Sequence, residues 1–489
     1  MNKKILSKNL VITFGAYALL LVLNIVVSKV VLVSYGSEVN GLLASVNQLY
    51  SYIALLEAGI GIATITALYA PLAQKDKEKI NQVCSASVSY YRHVLKWYVC
   101  CVIIVSFLWP FVLKSSIGYW TIFGVIFIQG ISNALTFYYT SATTNYLVAS
   151  GKNYINVYIH MGITALTYLS KAAVSLVCGN VLIISIALLG INALKCLIYC
   201  VYKKIACKDL YFDVKADLTI LKHRNSFLVH EVVSVVFSST DLVLISILCD
   251  LKMASIYAVY SLVTSALSTI IGQVFNSTKY ILGDAYHKGN YQKTHDNFNA
   301  IYVTLVFAIY SVAYILFEPF IAIYTKEIED INYLIRFLPL LFVLVQLLSA
   351  CRSVDTILIT NAGHAKETIN RAVIEAVINL GTSIVLLYFI GIHGVLIGTM
   401  LALLYRTNDM IIYANKKILK RSPWKEYKLY LFNFMIFGCA VVLNEILSIQ
   451  AFGYLDLLIK AVVVSVLVIA SYVVLNLAMF GKTYGDKIT

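Results

Sequence analysis

Tyr35–Lys79 reads YGSEVNGLLASVNQLYSYIALLEAGIGIATITALYAPLAQKDKEK, and Cys249–Lys293 reads CDLKMASIYAVYSLVTSALSTIIGQVFNSTKYILGDAYHKGNYQK. Each stretch joins a short polar turn to a helical run of small and aromatic residues, then to a charged loop. A second pair follows. YLVASGKNYINVYI from Tyr146 and ILITNAGHAKETINRAVI from Ile357 both place a glycine and then a basic residue before a new apolar run. The two comparisons share an offset of about 212 to 216 residues, which is the signature of an internal duplication. A duplicated membrane bundle has a pseudo-symmetric cleft, the layout of a protein that rocks around a midplane site.

Composition places the rest of the chain around that repeat. The 489 residues are 60% hydrophobic and 13% charged, against roughly a quarter charged in soluble domains. Mean hydropathy is +0.82, and apolar runs near 20 residues recur along the chain, each enough to cross a bilayer. About 14 spans are expected, from near 10–35 to near 455–480. The basic start MNKKILSK leads into a run long enough to span and lacks a small-residue cleavage site. It reads as a first transmembrane helix, with both termini cytoplasmic.

The formal charge of +14 follows topology. With the amino terminus inside, most Lys and Arg fall in cytoplasmic loops, while Lys114, Lys252 and Lys326 fall outside. No basic stripe interleaved with aromatics stands apart from the membrane, so nucleic acid is not an expected partner. The ten cysteines form no CxxC pair and have no flanking histidine at ligand spacing. They read as small core residues, and no metal site is expected.

Three blocks emerge. Residues 1–202 form a first lobe of six spans, and 203–224 a cytoplasmic linker. Residues 225–415 form a second six-span lobe. Residues 416–489 hold a basic loop and a final helical pair without a counterpart in the repeat. The fold expected is an all-α polytopic membrane protein, two pseudo-symmetric six-helix lobes plus that pair. External loops are short, which leaves no room for a catalytic domain outside the bilayer.

An ionisable side chain within a span costs roughly 2.5–3.5 kcal/mol on insertion scales, so each is a candidate site residue. Lys29, Glu57, Lys171, Asp241 and Glu375 are the charges that local pairing explains least. Arg352 and Asp355 stand three apart and either neutralise each other or line a cavity. Arg406 and Asp409 repeat that spacing nearer the cytoplasm and read as a structural pair. Lys195 reads as a snorkelling side chain, and Glu231 as a wet group near an inner end. Asn24 and Asp241 fall at matching depth when the repeat is applied. In the fourth span Gln129, Asn133, Thr136, Ser141, Thr144 and Asn145 serve either a polar cavity or bonds between helices. Gly59 and Gly61 read as close-packing positions more than hinges. No Walker A, GxGxxG, GxSxG or HExxH sequence occurs, so intrinsic ATP hydrolysis is excluded and an enzyme is not expected.

The stretch from Lys8 to Tyr69 resembles the first two helices of polysaccharide-unit flippases of the Wzx type, in the multidrug/oligosaccharidyl-lipid/polysaccharide (MOP) exporter superfamily. The resemblance rests on Tyr35–Gly36, Asn40–Gly41, the Glu57–Gly61 segment and the loop from Lys75. In the second lobe it rests on Ser239–Thr240–Asp241, Ile256–Tyr257 and Asn361–His364, and it covers nearly the whole chain. It implies a MATE-like fold in a bacterial inner membrane and movement of undecaprenyl-pyrophosphate-linked oligosaccharide to the outer leaflet. It implies that Lys29, Lys171 and Arg352 meet the pyrophosphate or an acidic sugar. Glu57, Asp241, Asp355 and Glu375 would carry a coupling Na+ or H+, or hold those cations. No other cofactor is implied. Membrane lipids, glycosyltransferases and a polysaccharide polymerase would be its partners, around a monomeric working unit. The count of 14 spans departs from the 12 of many such flippases. The competing readings are a multidrug or small-molecule cation antiporter of the same superfamily, a membrane-embedded polymerase or glycosyltransferase, and an assembly scaffold.

Overall fold

The computed structural model describes residues 3–57, 59–207, 210–211, 224–288 and 291–484. Most of the expected linker, 208–209 and 212–223, lies outside the described residues, as do the side chains of the opening stretch before Gly15. Among the described residues there is no strand.

Helix α1 (Lys3–Ile53) contains two helices joined at Gly36, which has φ 79° and ψ 177°. Its apolar part and the turn after it run 39 residues, Leu19–Glu57. At 1.5 Å per residue that is about 58 Å, nearly twice the ~30 Å hydrocarbon core, so it holds two crossings. A 3-10 turn, Ala54–Glu57, and a left-handed Gly59 (φ 79°) then separate α1 from α2 (Ile60–Gln74). The second crossing is thus interrupted at Glu57–Gly59. Gly59 is a backbone break, because φ near +80° is open to glycine and strained for other residues.

Four helices follow: α3 (Lys77–Val112), α4 (Tyr119–Ala149), α5 (Asn153–Val177) and α6 (Val181–Ala206). Asp76 caps α3, its carboxylate accepting the Lys79 N–H at 3.1 Å. That bond holds the carboxyl below its ordinary range. After α7 (Arg224–Leu248) come α8 (Leu251–Thr278), α9 (Tyr280–Lys288), α10 (Tyr291–Tyr324), α11 (Leu338–Ala350) and α12 (Ser353–Asn361). The chain ends with α13 (Ile369–Ile390), α14 (Ile392–Tyr413), α15 (Trp424–Leu447) and α16 (Tyr454–Tyr484). Among the described residues 12 helical stretches are long and apolar enough to cross a membrane. With α5 and the second arm of α1 counted, the described helices make 14 passages, as expected.

By packing, the chain forms two compact units, Met1–Ser255 and Ile256–Thr489. In the first, the core gathers Leu42, Val46, Tyr50, Val102, Ile122, Val125 and Ile126 from α1, α3 and α4, and the Tyr50 hydroxyl donates to the Ile126 carbonyl at 2.5 Å. The Asn40–Gly41 motif belongs to the same unit. Asn40 Nδ2 donates to Ser255 Oγ at 2.7 Å, and a Cβ on Gly41 would stand 1.8 Å from the Leu251 carbonyl oxygen. Only glycine permits that approach.

In the second unit α10 is the most enclosed span, with Phe307, Tyr310, Phe317 and Tyr324 buried. The final pair packs against it through polar bonds: Ser311 with the Tyr472 hydroxyl at 2.8 Å, and Asn299 Nδ2 to the Tyr430 hydroxyl at 2.8 Å. Leu455, Leu458, Val462 and Val466 of α16 are exposed, an outward apolar face suited to lipid.

The duplication shows in local geometry. Gly151 follows α4 at φ 74°, and Gly363 follows α12 at φ 77°, so both copies end a helix with the same left-handed glycine. The second-span motif is interrupted at different places in the two copies, since at the offset of 214 Gly59 matches Gln273 inside α8 and Lys279 matches Ile65 inside α2. The chain breaks before α2 at Gly59 and again between α8 and α9 at Lys279.

Candidate functional site

Charged side chains gather where helices break. In the first unit Glu57 sits in the 3-10 turn between α1 and α2. The N–H of Gly59 donates to Glu231 Oε2 of α7 at 3.0 Å, and Glu57 lies close enough to Glu231 for the two carboxylates to repel. Tyr91 of α3 faces the same region and accepts from Asn145 Nδ2 of α4 at 3.2 Å. Glu231, read from sequence as a wet group, is exposed and stands beside Glu57. Asp241 lies on α7 at 5% exposure. Its neighbour Thr240 is bonded to the Tyr52 hydroxyl of α1, and Asp241 acts electrostatically on the same tyrosine. Lys29 is half-buried on the first arm of α1 and has polar company of its own. Lys171 on α5 is also half-buried, and among the described residues no carboxylate comes within ion-pair distance of it.

Most polar groups of α4 are absorbed by packing. Gln129 Nε2 donates to Asn47 Oδ1 at 2.6 Å, and Asn192 Nδ2 to Ser132 Oγ at 2.7 Å. Thr136, Thr140 and Ser141 donate to carbonyls of their own helix. Of the two uses open to these residues, bonding within and between helices accounts for the ones named.

The second unit carries a chain of alternating charge. Arg352 stands at the break between α11 and α12. Its Nη1 meets Glu375 Oε1 at 2.5 Å, and Arg406 Nε lies 3.5 Å from the other oxygen of Glu375. Arg406 Nη1 then meets Asp409 at 2.8 Å, and Arg371 Nη1 meets the same carboxylate at 2.7 Å. Among these five described groups three guanidiniums meet two carboxylates, and Arg352 has a further interaction besides Glu375. The Arg406–Asp409 pair is the one the spacing suggested. Arg352, however, pairs with Glu375 twenty-three residues away and not with Asp355, because α12 starts anew after Arg352 and turns Asp355 elsewhere.

Asp355 is fully buried and bonds His295 Nε2 of α10 at 3.0 Å. His295 and Glu426 of α15 complete a buried trio. Around it, Asp296 meets Arg421 and Lys425, each at 2.6 Å. None of His295, Asp296, Arg421 and Glu426 stood out in the sequence, since each lies next to a loop where charge is ordinary.

No family profile and no curated protein matches this sequence. Solved structures do. The chain superposes on the lipid II flippase MurJ in an inward closed conformation with a TM-score of 0.71, covering 96% of this chain and 99% of that one at 13% identity. An inward-facing multidrug resistance MATE family transporter of the MOP superfamily aligns with a TM-score of 0.66 over 81% of this chain and 95% of that one, at 15% identity. A MOP superfamily transporter from Pyrococcus furiosus aligns at 0.59, over 84% and 95%, with 14% identity. At such identities the likeness is one of fold. The chain is a multi-pass membrane protein with the fold shared by MATE transporters and MurJ.

Proposed function

We propose that the chain is a flippase carrying undecaprenyl-pyrophosphate-linked oligosaccharide units from the cytoplasmic to the outer leaflet of a bacterial inner membrane. It would work by alternating access coupled to Na+ or H+, with both termini cytoplasmic and biosynthetic glycosyltransferases and a polymerase nearby. The observation that carries this reading is the final helical pair. The MurJ alignment extends over 96% of the chain, where the MATE alignment stops at 81%. Between α16 and α10 lies an apolar groove of about 290 Å³, lined by Ile301, Leu305, Ala308, Val473 and Leu477. A polyprenyl tail suits such a groove, whereas a small soluble drug has no need of one.

The charges fit the head of that substrate. A pyrophosphate leaving water must find compensating cations. Among the described residues no carboxylate comes within ion-pair distance of Lys171, and Arg352, Arg371 and Arg406 bring three guanidiniums to two carboxylates. Lys29 would join them, while Asp241, Glu57 and Glu375 would carry the coupling ion or hold the cations. A cation antiporter is the second reading, favoured by the Glu57–Glu231 pair, which suits a positively charged ligand.

The deciding experiment is a leaflet assay in proteoliposomes, with a lipid-linked oligosaccharide whose sugar is modified by an impermeant reagent after crossing. Wild type is compared with Lys171→Ala and Asp241→Asn at matched abundance. Protein-dependent appearance of sugar that falls at least tenfold in both variants supports the flippase. Absence of sugar movement under an imposed gradient, with efflux of an organic cation instead, transfers the assignment to the antiporter.

A further inference from the structure

We propose that His295, Asp355 and Glu426 form a binding site for a divalent transition-metal ion of the Zn2+ class, fastening the start of α15 to α10 and α12. The proposal is independent of what the chain transports. The three residues come from helices far apart in sequence, and they are 1%, 0% and 3% exposed. One donor atom from each lies within 4.8 Å of the others.

A simple ion pair accounts for part of this geometry. His295 Nε2 meets Asp355 Oδ1 at 3.0 Å. The other ring nitrogen, Nδ1, has no hydrogen-bond partner, with the carboxylates of Asp296 and Glu426 at 3.7 and 3.9 Å. Asp355 Oδ2 has none either. Leaving a buried acceptor unmade is costly, so Asp355 Oδ2 calls for a further occupant on the Nε2 side of the imidazole, with Nδ1 holding the ring proton that faces Asp296 and Glu426. A metal ion answers that need. Bonds of about 2.0–2.2 Å in a tetrahedral site set ligand atoms roughly 3.3 Å apart, so the donors need to shift by well under their present separations.

The donor set and the charge choose the class of ion. An imidazole beside two carboxylates suits Zn2+ and its neighbours, whereas Na+, Mg2+ and Ca2+ prefer oxygen alone. The third nearby carboxylate, Asp296, is engaged by Arg421 and Lys425. Arg421 also bridges to Glu426, so around a neutral imidazole the three carboxylates and the two cations leave one net negative charge to set against the ion. The outer shell is in place as well. Asn415 Nδ2 and Arg421 Nη2 donate to Glu426 Oε1 at 2.8 and 2.9 Å, and the Tyr430 hydroxyl approaches Oε2 at 3.5 Å. Such partners hold a ligand at its working angle.

The test uses the full chain, freed of any histidine tag, stripped with a chelator and titrated in nanodiscs with Zn2+ alone against a chromogenic competitor. One Zn2+ per chain and a rise in melting temperature are expected. Asp355→Asn and His295→Ala should abolish both, and Asn415→Ala should weaken binding about 10–100-fold. His364→Ala, whose ring contacts Tyr413 at 2.9 Å outside the site, should bind as wild type. Should the His295 variant fail to fold, Co2+ bound to wild type provides the readout, as visible absorption bands of tetrahedral coordination. Binding below stoichiometry, binding that survives Asp355→Asn through the cysteines, or stability that answers to pH and not to metal would each overturn the proposal.

Discussion

Removing the Glu375 side chain tests the charge chain of the second unit. The carboxylate is shared by Arg352 and Arg406, at 2.5 and 3.5 Å, and its side chain is 7% exposed. Glu375→Ala leaves Arg406, 4% exposed, with Asp409, and takes from Arg352 its ion pair with Glu375. Deleting one member of a buried ion pair costs about 3–5 kcal/mol, and sharing by two guanidiniums places this case in the upper half. The outer link differs. Arg371 is 37% exposed where it meets Asp409, so Arg371→Ala should cost about 0–1 kcal/mol. Equilibrium unfolding in mixed micelles, titrated with a denaturing detergent, measures both. The double variant Glu375→Ala/Arg352→Ala should recover about 1–2 kcal/mol relative to the sum of the singles, since both ends of one ion pair leave together. A Glu375→Ala protein within 1 kcal/mol of wild type, or strict additivity in the double variant, would refute the chain as a coupled unit.

Gly41→Ala should destabilise the first unit by about 2 kcal/mol or more, because its Cβ meets the Leu251 carbonyl at 1.8 Å. Gly162→Ala on α5, where nothing lies within 4 Å, should instead stabilise by up to about 1 kcal/mol; the same unfolding titration ranks the two. The Asp76 cap predicts a pH dependence. Its folded value lies below the ordinary carboxyl value, so its stabilisation is complete above about 3.9 and fades as pH falls through the lowered value. Amide exchange in the first turn of α3 should quicken over that acid range in wild type and change less in Asp76→Asn. Ala308→Trp fills the groove between α10 and α16, and should lower transport of a long-chain polyprenyl substrate at least tenfold while sparing a short-chain analogue. Equal rates for both substrates would detach the groove from tail binding.

Hydropathy and repeat made the membrane class, the 14 passages and the duplication legible, because each depends on residues near one another in sequence. The left-handed glycines at 151 and 363 belong there too, since a glycine before a basic residue ends a helix wherever its neighbours permit. The interruption at Glu57–Gly59 was visible as composition, but its conformation was not: close packing and a break both use glycine. Candidate charges such as Glu57, Asp241, Asp355 and Glu375 could be named from cost, but spacing left their company open. Arg352 and Asp355 share a spacing and still part, because the helix restarts between them. His295 and Glu426 lie 131 positions apart and meet only when α15 packs against α10. Helical period fixes which face a residue occupies on its own helix. Which faces then touch depends on rotation, depth and breaks, and those are set by the packing of all the helices together.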